Sequence, residues 1–219
     1  MESLLSGQTV ISLTWLLGDL GARETLSMPI YCLNCKSNNM EELVIENEVF
    51  YLCRECQSKS GRALIVNGKI KIINTRRGIK HISVGAIIIR SGKMLLTHRR
   101  TYPFGLEIPV GHLEYDETLE QALEREIYEE VGLKVEGATL LTQIEHPISH
   151  CRYGSSIEEW AVFAVECRNG RDFVSNHEIE SLNWLSLSEL DRPDLTPSTR
   201  FVLEVLNFLP RREKAKSYG

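Results

Sequence analysis

Residues 111–133, GHLEYDETLEQALEREIYEEVGL, combine the pattern of an amphipathic helix with a dense group of carboxylates. At about 100° per residue the apolar residues form one stripe, made of Leu119, Leu123 and Ile127. Glu126 and Glu130 fall inside or at the margin of this stripe, and Glu129 lies beside it. At least two acids therefore point toward the domain body, where an unpaired carboxylate is energetically unfavourable.

Two explanations fit these carboxylates. Side chains at i, i+3 and i+4 converge on one helix face, and their hard oxygen atoms suit Mg²⁺ or Mn²⁺. Alternatively, the glutamates form salt bridges on the helix, with Arg125 and Lys134 as partners. The charge pattern by itself does not separate a metal site from a salt-bridged helix.

The spacing of the whole segment resembles the Nudix box without a departure. The pattern runs from Gly111 through five residues to Glu117, and after seven more residues it continues as Arg125-Glu126-Ile127-Tyr128-Glu129-Glu130-Val131-Gly132-Leu133. A pattern of this length, spanning loop, helix and loop, is not explained by chance. With its flanking strands and terminal helix, the segment 82–209 is identified as a Nudix domain.

This resemblance implies an α/β fold, the Nudix α/β/α sandwich with a mixed sheet, whose box helix holds divalent metals against a diphosphate. Carried over by position, three residues would ligate the metal: Glu126, Glu129 and Glu130. Arg125 would orient them through ion pairs, Gly111 would approach the metal with its backbone, and Glu117 would brace the loop. Since such metals orient a diphosphate and activate water, the implied enzyme is a Mg²⁺-dependent (or Mn²⁺-dependent) pyrophosphohydrolase.

Many Nudix enzymes take a further catalytic glutamate from a loop before a strand that carries Trp. In NHEIESLNW, residues 176–184, Glu178 and Glu180 precede Trp184. Glu178 is the better positional match, as a metal ligand or as the base that activates water. The alternative for both residues is an acidic side chain in a solvated loop.

Four cysteines form two Cys-x2-Cys pairs that are separated by 17 residues, namely Cys32, Cys35, Cys53 and Cys56. This spacing is typical of a four-thiolate site in which two knuckles surround one structural Zn²⁺. The alternative, a pair of disulfides, is disfavoured in a cytosolic chain. Elsewhere Cys151 lies near His146 and His150 in one loop, although a loop cluster of this kind is only a weak indication of a second metal site.

The chain divides into four segments: an extension at 1–27, a small β-rich zinc ribbon with a hairpin at 28–74, the Nudix domain at 82–209, and a basic tail at 210–219. The extension is expected to be a disordered or weakly amphipathic segment, or to precede the true start at Met28. The hairpin is expected because Asn67-Gly68 joins two β-rich runs. A basic connector, residues 75–81, is the expected boundary.

Charge and hydropathy limit the partners. The net charge of −5 and the pI near 5.8 argue against broad adhesion to nucleic acids or membranes. No run approaches the roughly 18 apolar residues that a membrane helix needs. We expect a cytoplasmic protein, because the first apolar stretch has no preceding Lys or Arg and is interrupted by Asp19. Since many relatives are homodimers, we also expect a homodimer.

A zinc ribbon before a Nudix domain resembles the NADH pyrophosphatase group. Those enzymes carry SQPWPFPxS beyond the box, where this chain has LLTQIEHPISHCRYGSS, and other ribbon-bearing Nudix proteins act on ADP-ribose or FAD. The predicted substrate is therefore a nucleoside diphosphate linked to another moiety, cleaved to release a nucleoside monophosphate. Four residues before the box are candidates for holding phosphate and base, namely Arg99, Arg100, Tyr102 and Phe104.

Two alternatives use the same pocket. One is a nucleotide-sensing protein whose ribbon engages nucleic acid or another partner, and the intact acidic set argues against it. The other is RNA decapping, which applies the same chemistry to a longer substrate. Nucleic acid is therefore a partner that the sequence allows but does not favour. For the four candidate binding residues, the alternative is a packed loop with solvated arginines.

Overall fold

The structure, a computed structural model, describes residues 28–211, so the expectations for 1–27 and for 212–219 lie outside the described residues. The ribbon strands are β1 (Ile30–Tyr31), β2 (Met40–Ile45), β3 (Glu48–Cys53), β4 (Lys59–Ser60) and β5 (Leu64–Ile65). The following strands are β6 (Ile72–Thr75), β7 (Gly78–Ile87), β8 (Ile89–Arg90), β9 (Lys93–Arg99), β10 (Gly105–Glu107), β11 (Val110–His112), β12 (Leu133–Glu145), β13 (Ile157–Asn169) and β14 (Ile179–Ser186). The helices are α1 (Leu119–Val131) and α2 (Pro197–Val205), and a short 3-10 helix covers Leu187–Glu189.

Two sheets form the centre of the larger domain. The first has the strand order β11-β7-β13-β12, with β6 paired to β7. Within it β7 and β13 are parallel and the other pairs are antiparallel, so the sheet is mixed, as predicted. The second sheet has the order β10-β9-β14, with β8 paired to β9, and all of its pairs are antiparallel.

Alternation along the strands sorts side chains to two sides of the sheet. On β7 and β13, Val84 and Phe163 pack in the cluster that contains the α1 residues. Ile87, three residues after Val84, and Val162, next to Phe163, face the other side and pack in the cluster that contains the α2 residues. The mixed sheet thus lies between the two helices, and the predicted α/β/α sandwich is confirmed.

Helix α1 has a defined beginning and end. Thr118 Oγ1 accepts from the Gln121 backbone N–H, and Gln121 Oε1 accepts from the Thr118 N–H, which completes a capping box. At the other end Gly132 has a φ of 73°, a left-handed conformation in which glycine carries no Cβ penalty. Leu123 and Ile127 are each 1% exposed, and burial of such side chains stabilises by about 1.5–3 kcal/mol each. The predicted helix and its end at Gly132 are confirmed.

The small ribbon has two short sheets, β1-β5 and β2-β3-β4, which agrees with the predicted β-rich module. The predicted hairpin at Asn67-Gly68 is wrong, because β5 pairs with β1 and β6 pairs with β7. Both runs have partners outside the local turn. Strand β5 forms a two-stranded sheet with β1, and β6 extends the mixed sheet. The pairing of β6 also carries the mixed sheet back to Ile72, so residues 75–81 include the end of β6, a tight turn and the start of β7.

The ribbon packs against the larger domain at two places. Val49 N–H donates to the Arg100 carbonyl at 2.9 Å, and the Phe50 and Phe104 rings lie 5.0 Å apart. In addition, Arg62 donates to carbonyls of the loop between β12 and β13, residues 146–156. The ribbon is therefore positioned to hold that loop. In the part of the chain described, no helix is both long and apolar enough to cross a bilayer.

Candidate active site

A cleft of about 180 Å³ opens beside α1 and the β12–β13 loop. Its charged lining consists of the glutamates Glu107, Glu114, Glu126, Glu129, Glu130, Glu158 and Glu178 and the arginines Arg99, Arg125 and Arg152. Seven acids against three arginines produce a negative local potential. An anionic diphosphate would be repelled from this cleft unless cations were bound there with it.

Arg125 connects helix α1 to the preceding loop. Its Nε and Nη2 donate to the two carboxylate oxygens of Glu117, at 2.7 and 2.9 Å. Its Nη1 donates to Glu126 at 2.7 Å and lies 3.4 Å from the carboxylate of Glu129, while Nη2 also donates to the His112 carbonyl. The salt bridges considered for Arg125 thus exist, and they orient box glutamates at the cleft rather than away from it.

Glu130 is the most deeply buried of the box acids, with 7% exposure. Its Oε2 accepts from the Val110 N–H at 3.2 Å. Burial, followed by repulsion from the Glu126 carboxylate, raises the pKa of Glu130 well above its usual range. Burial also raises the pKa of Glu126, although Arg125 opposes that change. A divalent cation would offset both effects, and these hard oxygen ligands fit Mg²⁺ or Mn²⁺.

A side chain at position 111 would collide with the Glu126 carboxylate. A Cβ at this position would lie 1.9 Å from Glu126 Cδ and 2.2 Å from each carboxylate oxygen. Only the absence of a side chain lets the carboxylate approach the β11 backbone this closely. The box glycine therefore brings the backbone and the carboxylate together, which is the arrangement that its predicted role as a backbone ligand needs.

Glu178 and Glu180 have different surroundings. Glu178 lines the cleft and accepts from Arg152 Nη1 at 3.1 Å. Burial opposes its ionisation, but His177 and then Arg152 outweigh burial and lower the pKa of Glu178 to about 2. Glu180 instead lies 2.8 Å from His98 Nδ1 and is not among the cleft residues. The catalytic role of Glu178 stays a prediction, with a position that suits it.

Of the four predicted substrate-binding residues, Arg99 and Tyr102 line the cleft. Arg99 is paired with the buried Glu107, Nη1 to Oε2, at 2.6 Å. The Tyr102 hydroxyl lies 3.1 Å from His150 Nδ1. These two side chains can therefore contact a ligand at the cleft without leaving their present positions.

The other two predicted binding residues are elsewhere. Arg100 donates to Ser175 Oγ at 3.1 Å, and Phe104 packs against Phe50 of the ribbon. Neither is among the residues that line the cleft.

Sequence reasoning missed Arg152, Glu107 and Glu158 as cleft residues. Arg152 comes from the β12–β13 loop, and its guanidinium reaches Glu178 from 26 residues away in the chain. No spacing rule connects the two positions. The one available signal was the cluster of polar residues around Cys151.

The four ribbon thiols lie within 4.8 Å of one another. The Sγ atoms of Cys32 and Cys56 are 3.6 Å apart and those of Cys35 and Cys53 are 3.5 Å apart, whereas tetrahedral Zn–S bonds of about 2.3 Å separate sulfurs by about 3.8 Å. All four are free thiols. The cluster is therefore compatible with the predicted structural Zn²⁺.

The two knuckles repeat one backbone pattern. Lys36 N–H donates to the Cys32 carbonyl and Gln57 N–H donates to the Cys53 carbonyl, each at 3.0 Å. Lys36 and Gln57 both have positive φ values, 62° and 59°. Each turn thus wraps its backbone around the position between the thiols.

Known proteins with similar sequences and structures agree with this arrangement of the site. Residues 79–206, more than half of the chain, match the family model described as the NUDIX domain. The chain belongs to the Nudix family. A MutT NUDIX hydrolase of known crystal structure, from Burkholderia pseudomallei, is 32% identical with a TM-score of 0.50, covering 57% of this chain and 96% of that one. The family predicted from the box is confirmed.

Several curated relatives carry the name RNA pyrophosphohydrolase. The protein from Psychromonas ingrahamii is 41% identical over 64 residues, which are 29% of this chain and 35% of that protein. The protein from Photobacterium profundum is 29% identical over 119 residues, which are 48% of this chain and 68% of that protein. The chain thus spans about a third of the length of the first relative.

Proposed function

We propose that this Nudix protein is a Mg²⁺-dependent pyrophosphohydrolase that cleaves a nucleoside diphosphate linked to another moiety. The observation that carries the proposal is the pair of the buried Glu130, bonded to the Val110 N–H, and the half-buried Glu126, against the Gly111 backbone, with the ionised Glu178 lining the same cleft. A sensing protein would not need such an acidic set. A nucleotide is accordingly the proposed substrate, and a cytoplasmic homodimer stays our expectation for the whole protein.

The side chains divide the work of the reaction. A divalent cation held by Glu126, Glu129 and Glu130, with the Gly111 carbonyl, would neutralise the diphosphate and make water more acidic. Arg125 holds Glu126 in place through its guanidinium. Water attacks one phosphorus, the bridging oxygen leaves with the other phosphate, and the released proton passes to a carboxylate.

Glu178 is the proposed acceptor of that proton, and His177 and Arg152 together lower its pKa. While His177 and Arg152 are both paired with it, the pKa of about 2 makes Glu178 a weak base. A substrate phosphate that attracts the Arg152 guanidinium would weaken this pairing. Glu178 then becomes more basic at the moment when water must be deprotonated.

The size of the cleft indicates that it encloses only part of the substrate. Its volume of about 180 Å³ is below the roughly 300–1,000 Å³ of sites that enclose whole drug-sized ligands. The cleft therefore encloses the diphosphate and its cations, and the nucleoside and the second moiety extend outward. Tyr102 and Arg99 are the proposed contacts for base and phosphate.

ADP-ribose, NADH and FAD are the first substrates to test. A second candidate is the 5′ end of RNA, which the shared name of the two curated relatives supports. An outward-extending substrate is compatible with either class. The products separate them, because a dinucleotide releases a nucleoside monophosphate whereas a triphosphate RNA end releases pyrophosphate or phosphate.

The test is hydrolysis of this panel with Mg²⁺, followed by mass spectrometry of the products, with Glu130→Gln alongside the wild type. We expect Mg²⁺-dependent cleavage of one class and a loss of turnover of at least 100-fold in the variant. Circular dichroism would show that the variant is folded. Unchanged turnover in Glu130→Gln would contradict the assignment of that residue, and absence of hydrolysis with retained nucleotide binding would favour a sensing function.

A further inference from the structure

We propose that His81, His112 and Cys151 form a second transition-metal site, which binds a zinc-class divalent cation beside the carboxylate cleft. This site does not depend on the hydrolase function proposed above. The sequence suggested His146 and His150 as neighbours of the thiol. In the structure the sulfur faces two other histidines, one from each of two adjacent strands.

The three ligand atoms have the spacing of a metal site. Cys151 Sγ lies 3.2 Å from His112 Nε2 and 3.5 Å from His81 Nδ1, and all three atoms lie within 4.8 Å of one another. With Zn–S of about 2.3 Å and Zn–N of about 2.0–2.1 Å, tetrahedral geometry separates sulfur from nitrogen by about 3.6 Å. Small adjustments of the side chains would therefore be enough to surround one cation.

Separate elements supply the ligands. His81 lies in β7, His112 ends β11, and Cys151 lies in the β12–β13 loop. Because β11 pairs with β7 so that His112 is opposite Ser83, the two histidines lie two residues apart in register and on the same sheet face. Their rings meet edge to face with centroids 5.4 Å apart. The strand register thus directs both imidazoles at one point.

The ribbon holds the third ligand. Arg62 Nε donates to the Cys151 carbonyl at 3.0 Å, and Arg62 Nη2 donates to the Ser155 carbonyl at 3.2 Å. The neighbouring Ala63 N–H donates to the Arg152 carbonyl at 3.1 Å. With its backbone fixed and its side chain 4% exposed, the thiol is ordered in advance, which reduces the entropy lost on binding.

The ligand types select the cation. One thiolate and two imidazoles suit Zn²⁺ and similar borderline metals, whereas the all-oxygen set on α1 suits Mg²⁺ or Mn²⁺. Glu158, the parallel-strand neighbour of His81, adds a carboxylate next to the cluster. Three protein ligands leave one tetrahedral position for water or a ligand oxygen, and His112 and Cys151 line the cleft toward which this position would open.

Hydrogen bonds could also explain the short distances from Cys151 Sγ to the two imidazoles. A thiol can donate its proton to one imidazole and accept from the other, and no cation is then needed. The two accounts differ in whether the cluster binds a metal. A direct measurement of thiolate ligation therefore separates them.

The experiment is a Co²⁺ titration of the full chain, with Zn²⁺ bound in the ribbon and excess Mg²⁺ present to occupy the carboxylates. Co²⁺ bound to a thiolate shows a sulfur-to-cobalt charge-transfer absorption band. We expect this band to grow until one Co²⁺ per chain is bound. Cys151→Ser should abolish it, and Cys167→Ser, which changes the other cysteine outside the ribbon, should leave it unchanged.

Elemental analysis of each sample should show that ribbon Zn²⁺ is retained and has not been displaced by Co²⁺. Because Cys151 is buried, its variant could be unstable, so His112→Gln is a second test, with an expected weakening of Co²⁺ binding of at least tenfold. No charge-transfer band in the wild type would overturn the proposal. The same conclusion would follow from an unchanged band in Cys151→Ser, and the cluster would then be a hydrogen-bonded thiol.

Discussion

Glu130 and Glu178 line the same cleft, and their surroundings shift their proton affinities in opposite directions. Glu130 is enclosed near another carboxylate, so its neutral form is favoured although the Val110 N–H donates a hydrogen bond to it. Glu178 is also enclosed, but His177 and Arg152 stabilise its charged form. The first acid therefore needs a cation to ionise easily, whereas the second is ionised at neutral pH without one.

At this scale, Glu178→Gln should reduce kcat at least tenfold, because the amide can neither accept the proton from water nor bind a metal as strongly. The matched control is Glu180→Gln, which changes the acid that contacts His98 outside the cleft. Steady-state kinetics of both variants with the cleaved substrate would check this. An equal decrease of kcat in the two variants would contradict a catalytic role that belongs to Glu178 and not to Glu180.

Glu130 also makes metal-free stability depend on pH. Burial raises its folded pKa above the ordinary value of 4.5, so the protonated form stabilises the fold below pH 4.5 and this contribution is lost as pH rises through the raised pKa. We expect Glu130→Gln to be more stable than the metal-free wild type at neutral pH. The difference in unfolding free energy between the variant and the wild type should become smaller at low pH.

Mg²⁺ should raise the melting temperature of the wild type more than that of Glu130→Gln, since the cation offsets the buried charge. Each 1 kcal/mol would appear as a shift of about 2–4 °C. Thermal melts at several pH values, with and without Mg²⁺, measure both effects. A metal-free variant that melts below the wild type at neutral pH would contradict this account.

At the scale of elements, β11, the box loop and α1 act as one unit. Arg125 bonds to Glu117 and to the His112 carbonyl, so the helix cannot rotate without breaking several charge-assisted hydrogen bonds. Gly111 allows β11 to approach the Glu126 carboxylate. The position of the carboxylates thus depends on contacts made by the loop as well as on the helix.

Gly111→Ala should displace the Glu126 carboxylate from β11, because the new Cβ would lie 1.9 Å from Glu126 Cδ. We expect Mg²⁺ or Mn²⁺ affinity and turnover to fall at least tenfold. Gly68→Ala is the control, since a Cβ there meets nothing within 4 Å. Electron paramagnetic resonance of Mn²⁺ binding and steady-state rates would check the result, and normal Mn²⁺ affinity in Gly111→Ala would argue against the close approach.

For the whole molecule, the ribbon is joined to the active-site side of the Nudix domain. Arg62 and Ala63 hold the backbone of the β12–β13 loop, which contributes Arg152 to the cleft. Tyr51 of β3 is buried and packs with Ala63 and Ile65. The four-cysteine module therefore holds the loop that carries Arg152, and through this loop it would support the proposed catalysis.

Arg62→Ala should lower turnover several-fold while ribbon Zn²⁺ stays bound, because Arg152 loses the support of its loop. Arg168→Ala is the matched control, since this guanidinium is 62% exposed and pairs with Glu136. Kinetics and zinc content of both variants would test this. A decrease that is equal in the two variants would show that ribbon and cleft are not coupled.

Particular residues show how far sequence reasoning extended. The box spacing identified α1, its end at Gly132 and the acidic set, and the family resemblance implied the mixed sheet. Prediction failed at Asn67-Gly68, where a strong local turn signal was overridden by pairing with β1 and β7. Arg100 and Phe104 were candidates for the site because they adjoin Arg99 and Tyr102, but their side chains point to other contacts.

By itself, the sequence determined the features that depend on short spacings: the capped helix, the convergence of the glutamates and the two Cys-x2-Cys knuckles. Only the tertiary structure decided which distant residues meet. It brought Arg152 to Glu178, and it placed Cys151 beside His81 and His112. The physical reason is that helix periodicity and turn geometry act over a few residues, whereas strand register and loop docking are set by the packing of the whole domain.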